Sequence, residues 1–187
     1  MDWNHDIIIN FAFLIICDII NIRDEWEVGL LFNVGDKVFY PMHGAGMIQA
    51  IEEKDFLGKK ETYYTIFIQT SDMNVMIPKK NAEAVGLRSV TDRETAKEIL
   101  TILHDSGTAS NLTWKQRYSS NVEKMKTGAF DATAEVIRDL LSQKSEKPLN
   151  GSEKQLLNEA RKLMISELAL ITGVSETQAA KLLKQTS

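Results

Sequence analysis

The sequence predicts two domains of different class, a small antiparallel β-barrel followed by an all-helical unit of about five helices, and three observations carry that expectation. Residues 33 to about 88 alternate apolar and polar side chains in short runs broken by glycine and proline, the period-2 pattern of half-buried strands. From Thr91 onward this pattern stops, and Ser/Thr-x-x-Glu/Gln signatures recur, each opening a helical periodicity. The 187 residues are 43% hydrophobic and 26% charged with three prolines, enough apolar side chain for one or two packed cores.

Taken in order, Gly35-Asp36 turns the chain into a first strand at Lys37–Tyr40, and the Pro41-Met42-His43-Gly44 bend leads to a second at 46–53. Further strands are expected at 62–69, 74–78 and 86–90. The glycine-containing stretch Phe56–Lys60 and the Thr70-Ser71-Asp72 stretch are short enough for hairpin loops, as in barrels of SH3 or Tudor type. Such modules present an uncovered strand edge to partners. The run Asn74-Val75-Met76-Ile77-Pro78 fits one, since Pro78 cannot donate to a ladder, although a proline that only ends a strand looks the same.

Helices are expected at about 92–105, 114–127, 131–143, 153–171 and 176–185. Capping boxes are read at Thr91/Glu94, Thr113/Gln116, Ser152/Gln155 and Ser175/Gln178, and Asp131 opens the remaining helix. The segments 106–111 and 144–151, rich in Gly, Pro, Ser and Asn, read as surface loops.

The formal net charge of -4 is unevenly placed. Residues 1–30 hold six acidic side chains and one basic, 31–88 hold seven of each, and 89–187 hold fourteen basic and thirteen acidic. An excess of one cation is too little for strong autonomous binding to phosphates, so any DNA contact needs a tether. One cysteine, Cys17, excludes an internal disulfide framework and a cysteine-rich metal site and points to a reducing compartment. His5, His43 and His104 stand apart in sequence, and no metal, phosphate-loop or nucleophile motif is present. No catalytic residue, metal or cofactor is assigned, and the expectation is a binding protein.

The Ile- and Phe-rich run from Ile7 to Ile22 is interrupted by Asn10, Asp18 and Asn21 and preceded by Asp2 and Asp6, a poor fit to a membrane span or a signal peptide. Reverse translation offers another reading. Trp26-Glu27-Val28 is encoded TGG-GAR-GTN, which with a GAG codon contains the bacterial ribosome-binding sequence GGAGGT, and Leu31 then falls where a TTG start codon would. Residues 1–30 are therefore expected to be an upstream extension that the native product lacks, with 31–90 forming the barrel and 91–187 the helical domain.

In the helix after Thr113, Trp114 takes the first position, at the mouth of the helix. Tyr118, Val122 and Met125 recur at helical spacing and are expected to face inward, leaving Arg117, Asn121 and Lys124 as a polar stripe, with Lys115 near the start. Trp114 suits either a lid over the helical core or a wedge into a minor groove with cations holding phosphates.

Three segments in this order, Phe32–Pro41 with His43–Gly46, Met76–Arg88, and Trp114–Tyr118 with Ser166–Leu170, resemble the CarD/CdnL family of bacterial transcription regulators. The family's amino-terminal module is similar to the RNA-polymerase-interaction domain of transcription-repair coupling factor. The resemblance spans residues 31–187 and begins where Leu31 lies. It implies a Tudor-like barrel binding the RNA polymerase β subunit through Val75, Met76, Ile77 and Pro78, with Lys54 where some relatives use an arginine. It also implies weak, non-sequence-specific contact with the minor groove of promoter DNA, with Trp114 as the wedge and Arg117 as a basic neighbour; Ser119 replaces a cation of certain relatives, and the helix face read above adds Lys115 and Lys124 to the expected DNA-binding residues. A cytoplasmic, nucleoid-associated monomer that stabilises open promoter complexes is expected. The competing expectation is a barrel-containing RNA- or ribosome-associated binding protein.

Overall fold

The computed structural model describes residues 32–56, 58–103 and 112–185. The upstream segment, the start at Leu31, Leu57 of the first hairpin loop and the 106–111 loop lie outside them. Strands β1 (Lys37–Tyr40), β2 (Gly44–Phe56), β3 (Lys59–Ile68), β4 (Met73–Pro78) and β5 (Arg88–Ser89) form one antiparallel sheet in the order β4-β3-β2-β1-β5. Among the described residues five helices follow: α1 (Arg93–Ile102), α2 (Trp114–Thr127), α3 (Phe130–Glu146), α4 (Gly151–Thr172) and α5 (Glu176–Gln185).

The sheet corrects one expectation. Among the described residues it is open: β4 pairs only with β3, and β5 only with β1. β2 and β3 are long, at 13 and 10 residues, and β2 bends at a register shift between Ile48 and Ala50. β1 has only four residues and β5 two, too short to carry the curl around to β4.

Alternation along the strands places one core. Tyr64, Ile66 and Ile68 of β3 point the same way at successive period-2 positions, beside Val38, Ile48 and Ile77, and all are buried. Tyr64 meets Phe32 edge-on at 5.8 Å, and its hydroxyl accepts from the Phe32 backbone N–H at 3.3 Å. On the opposite face Phe39 and Ala45 belong to a second core, made mostly by the helices. β1 is therefore buried on both sides, with Val38 in one core and Phe39 in the other. In α3, Phe130, Ala134, Ile137 and Leu140 form a continuous stripe against Leu156, Ala160 and Leu163 of α4.

Two capping boxes form as read, Thr113/Gln116 and Ser175/Gln178. Two caps shift. Asp92, not Thr91, caps α1 by accepting from the backbone N–H groups of Glu94 and Thr95, while the Thr91 N–H donates to Glu167 at 2.9 Å. Asn150, not Ser152, caps α4 in a reciprocal box with Glu153. Asn caps as well as Ser, and this choice brings Glu153 to the first turn.

The helices are seated on the sheet by close backbone contact. Gly128 ends α2 in the left-handed region, with φ +69°, and a Cβ there would lie 2.6 Å from Pro41 Cγ. A Cβ on Gly44 would lie 2.9 Å from Ser166 Oγ, and that same oxygen accepts from the Ala45 N–H at 3.0 Å.

Candidate interaction surfaces

β4 is an edge strand, so its outer backbone groups have no partner strand among the described residues. Its side chains divide by face. Ile77 is sealed in the sheet core and Val75 packs partly against it, whereas Met76 is 41% exposed. Pro78 stands opposite Tyr63 at the strand end. Lys54 reaches this surface from β2: its Nζ lies 3.5 Å from Met76 Sδ and 3.1 Å from Glu52 Oε2. The fold thus gathers Lys54, Met76 and Pro78 beside an open ladder, and it limits Ile77 to a backbone contribution.

At the other end of the chain, Trp114 opens α2 and is 50% exposed. Lys115 Nζ stands 5.8 Å from the indole centroid, within the range of a cation–π contact. The expected polar stripe does not hold. Arg117 is only 9% exposed and Asn121 2%. The Arg117 guanidinium donates through Nε to Glu153 Oε1 at 2.9 Å, and Nη2 donates to the same oxygen. The inward face of α2 is therefore Arg117, Asn121 and Met125, with Tyr118 and Val122 partly buried beside it. A carboxylate delivered from α4 makes burial of the arginine tolerable, and it removes Arg117 from the cations free to meet phosphate.

Lys124 is also engaged, 3.0 Å from Glu135 and 3.3 Å from Asp139 on α3. Partial burial alone would depress its pKa, but the hydrogen bond to Glu135 and the charge of Asp139 outweigh this and raise it. Its charge is permanent, yet locally neutralised.

The structure adds cations that the motif reading passed over. A groove of about 470 Å³ runs from Trp114 along Gln143 and Lys147 to the start of α4. A second, also about 470 Å³, is lined by Lys144, Lys154 and Arg161 around Pro148 and Leu149. Pro148 lines both, so the two share a wall. No side chain of Lys144, Lys147, Lys154 or Arg161 is paired with a carboxylate among the described residues. One signal was available in the sequence: Lys154 and Arg161 lie two helical turns apart, on one face of α4.

Among the described residues there is no cluster of three His, Cys, Asp or Glu side chains suited to a metal ion, and no helix is long and apolar enough to cross a membrane. An open sheet edge and a half-exposed indole beside unpaired cations are features of a protein that binds macromolecules.

Residues 32–91 match the family described as "CarD-like/TRCF RID domain", and residues 98–184 match "CarD, C-terminal domain". The chain is 47% identical over 148 residues to the "Putative transcription factor YdeB" of Bacillus subtilis (strain 168), covering 79% of this chain and 97% of that protein. It is also similar to the solution NMR structure of the 72-residue N-terminal domain of Myxococcus xanthus CarD, at 33% identity and a TM-score of 0.28, over 34% of this chain and 84% of that one. The chain belongs to the CarD-like family of transcription factors and carries an RNA-polymerase-interaction domain.

Proposed function

We propose that residues 31–90 bind the RNA polymerase β subunit through the free edge of β4, and that residues 91–187 contact promoter DNA and stabilise the open complex. The observation that carries this reading is the half-exposed Trp114 at a helix mouth, beside a groove that holds the unpaired Lys147 and adjoins, across Pro148, the one lined by Lys144, Lys154 and Arg161. An aromatic so held can lean on an unstacked base step while the cations hold phosphates. Arg117 and Lys124, each held by carboxylates, have no part in this contact; Lys115, Lys147, Lys154 and Arg161 supply the phosphate-facing charge.

The weak overall charge fits this division. Polymerase binding raises the local concentration of the helical unit at the promoter, so modest DNA contacts suffice. If Trp114 binds partly melted DNA better than duplex, that difference shifts the population toward the open complex. On the sheet side, an added polymerase strand pairs with β4 while Met76 and the Lys54 stem give it an apolar and cationic surface.

Two variants test the two halves. Trp114→Ala is expected to shorten open-complex lifetime while leaving binding to polymerase intact; an unchanged lifetime removes the wedge. Changing Met76 to Glu together with Pro78 to Gly is expected to abolish co-purification of the β subunit with the chain. Recovery of RNA or ribosomes in place of polymerase, insensitive to Met76, would favour the RNA-associated alternative.

A further inference from the structure

One guanidinium joins the three parts of the molecule that this function needs. Arg88 lies on β5, the sheet edge opposite β4. Its Nη1 and Nη2 donate to the two oxygens of Glu167 on α4 at 2.7 and 2.8 Å, a bidentate pair. Its Nε and Nη2 also donate to the Gly128 carbonyl, which ends α2, at 2.9 and 2.6 Å. The guanidinium stacks 4.4 Å over the Phe39 ring, the sheet residue that enters the helical core. Glu167 is 1% exposed and takes a further hydrogen bond from the Thr91 N–H, at the point where the chain leaves the sheet for α1.

α2 is a rigid rod with Gly128 at one end and Trp114 at the other. Holding Gly128 to the sheet while the same guanidinium holds α4, against which α2 packs, therefore sets the direction in which Trp114 points relative to β4. We propose that Arg88 and Glu167 are positioning residues that hold the sheet and α2 in one orientation, so that a chain seated on polymerase presents Trp114 to the DNA without a search. The proposal rests on the polymerase-and-DNA reading above. A lysine at 88 could keep the charge but not the planar fork that meets two carboxylate oxygens and a carbonyl together. When the orientation is free, only a fraction of bound molecules face the DNA productively, and apparent affinity falls by that fraction.

The test uses the full chain with Cys17→Ser and spin labels at Glu53→Cys and Glu123→Cys, both exposed positions on β2 and α2. Glu167→Gln and, separately, Arg88→Lys are compared with the parent. The expected result is a narrow label-to-label distance distribution in the parent and a broad one in each variant. Unlabelled variants are expected to keep their affinity for the β subunit and for duplex DNA alone, yet to shorten open-complex lifetime by about tenfold, the loss for a productive fraction near one tenth. Distributions that stay narrow in both variants overturn the proposal, as does a broadened distribution with an unchanged lifetime. Should Glu167→Gln fail to fold, Arg88→Lys decides alone. Trp114→Ala is measured in parallel and is expected to keep the narrow distribution; if it leaves lifetime unchanged, the wedge fails while the distance measurement still decides the clamp.

Discussion

The helix α4 holds two sealed glutamates, and the difference between them separates a framework contact from a joint. Glu153 sits in the first turn, where the helix dipole favours an anion, and its Oε2 also accepts from the Asn150 N–H. Its partner Arg117 is itself almost sealed, and both belong to the helical unit. Glu167 lies in the second half of α4, without help from the helix start, and depends on N–H groups brought from Arg88 and Thr91. There the carboxylate side chain is 2% exposed and the Arg88 side chain 25%. Water can reach one partner and not the other. The first pair rigidifies a helix bundle; the second connects that bundle to the sheet.

The asymmetry at Glu167 gives the largest expected effect. Arg88→Met leaves a carboxylate buried with only the Thr91 N–H and also orphans the Gly128 carbonyl, so chemical denaturation should show a loss of about 4 kcal/mol. Glu167→Gln leaves an arginine that can turn to solvent and still bond Gly128, and about half that loss is expected. Equal losses would break the distinction between a one-sided and a two-sided seal.

At the other pair the expected loss is about 3 kcal/mol for Glu153→Ala, because Arg117 is stranded and the capping box of α4 is broken at once. Arg117 retains the Leu112 carbonyl at 3.4 Å as a weak acceptor, which keeps the loss below that of Arg88→Met. The same variant should increase phosphate binding if the freed guanidinium swings into the groove beside Trp114. A steeper salt dependence of DNA binding, by about one unit of log–log slope, would report this.

How much of this was legible in the sequence follows from where each determinant resides. The strands and helices were readable because their signals are local: Tyr64, Ile66 and Ile68 alternate within one strand, and Phe130, Ala134 and Ile137 recur within one helix. Arg117 was misread because its burial is decided by Glu153, far along the chain, and a charged residue beside an apolar stripe ordinarily faces water. The open sheet was misread because closure depends on the lengths the end strands reach in the folded sheet, and β5 has only two residues. The spacing of Lys154 and Arg161 was legible, but their meeting with Lys147 was not, because the surface is assembled from a loop and separate turns of α4 that come together only in the tertiary fold. Trp114 was placed at the helix mouth by its cap alone, and its exposure follows from that position.

A purely steric joint sharpens the contrast with the charged one. Gly128→Ala must accommodate φ +69° and a Cβ 2.6 Å from Pro41 Cγ, and an expected cost of about 2 kcal/mol combines left-handed strain with overpacking. Because Gly128 also offers its carbonyl to Arg88, the effects of Gly128→Ala and Arg88→Lys should be non-additive in a double-mutant cycle. Simple additivity would mean that the two contacts hold the sheet and α2 independently.

Asp92 completes the series as an exposed carboxylate with no arginine, and it should give the smallest effect. Its hydrogen bonds with the Thr95 side chain and N–H, together with the Glu94 N–H, hold its carboxyl below the usual carboxylate value. The folded pKa is thus lower than the unfolded one, so the cap's contribution is fully present above the unfolded value and is lost as pH falls through the folded value. Melting curves of the parent and Asp92→Ala should differ slightly at neutral pH and converge below about pH 4. Asp92→Asn should keep the neutral-pH stability, since asparagine caps as well as aspartate, and remove the pH-dependent part. A parent–alanine gap that persists unchanged into acid would mean that the cap acts through its shape and not through its charge, and the ordering from sealed pair to exposed cap would then rest on packing alone.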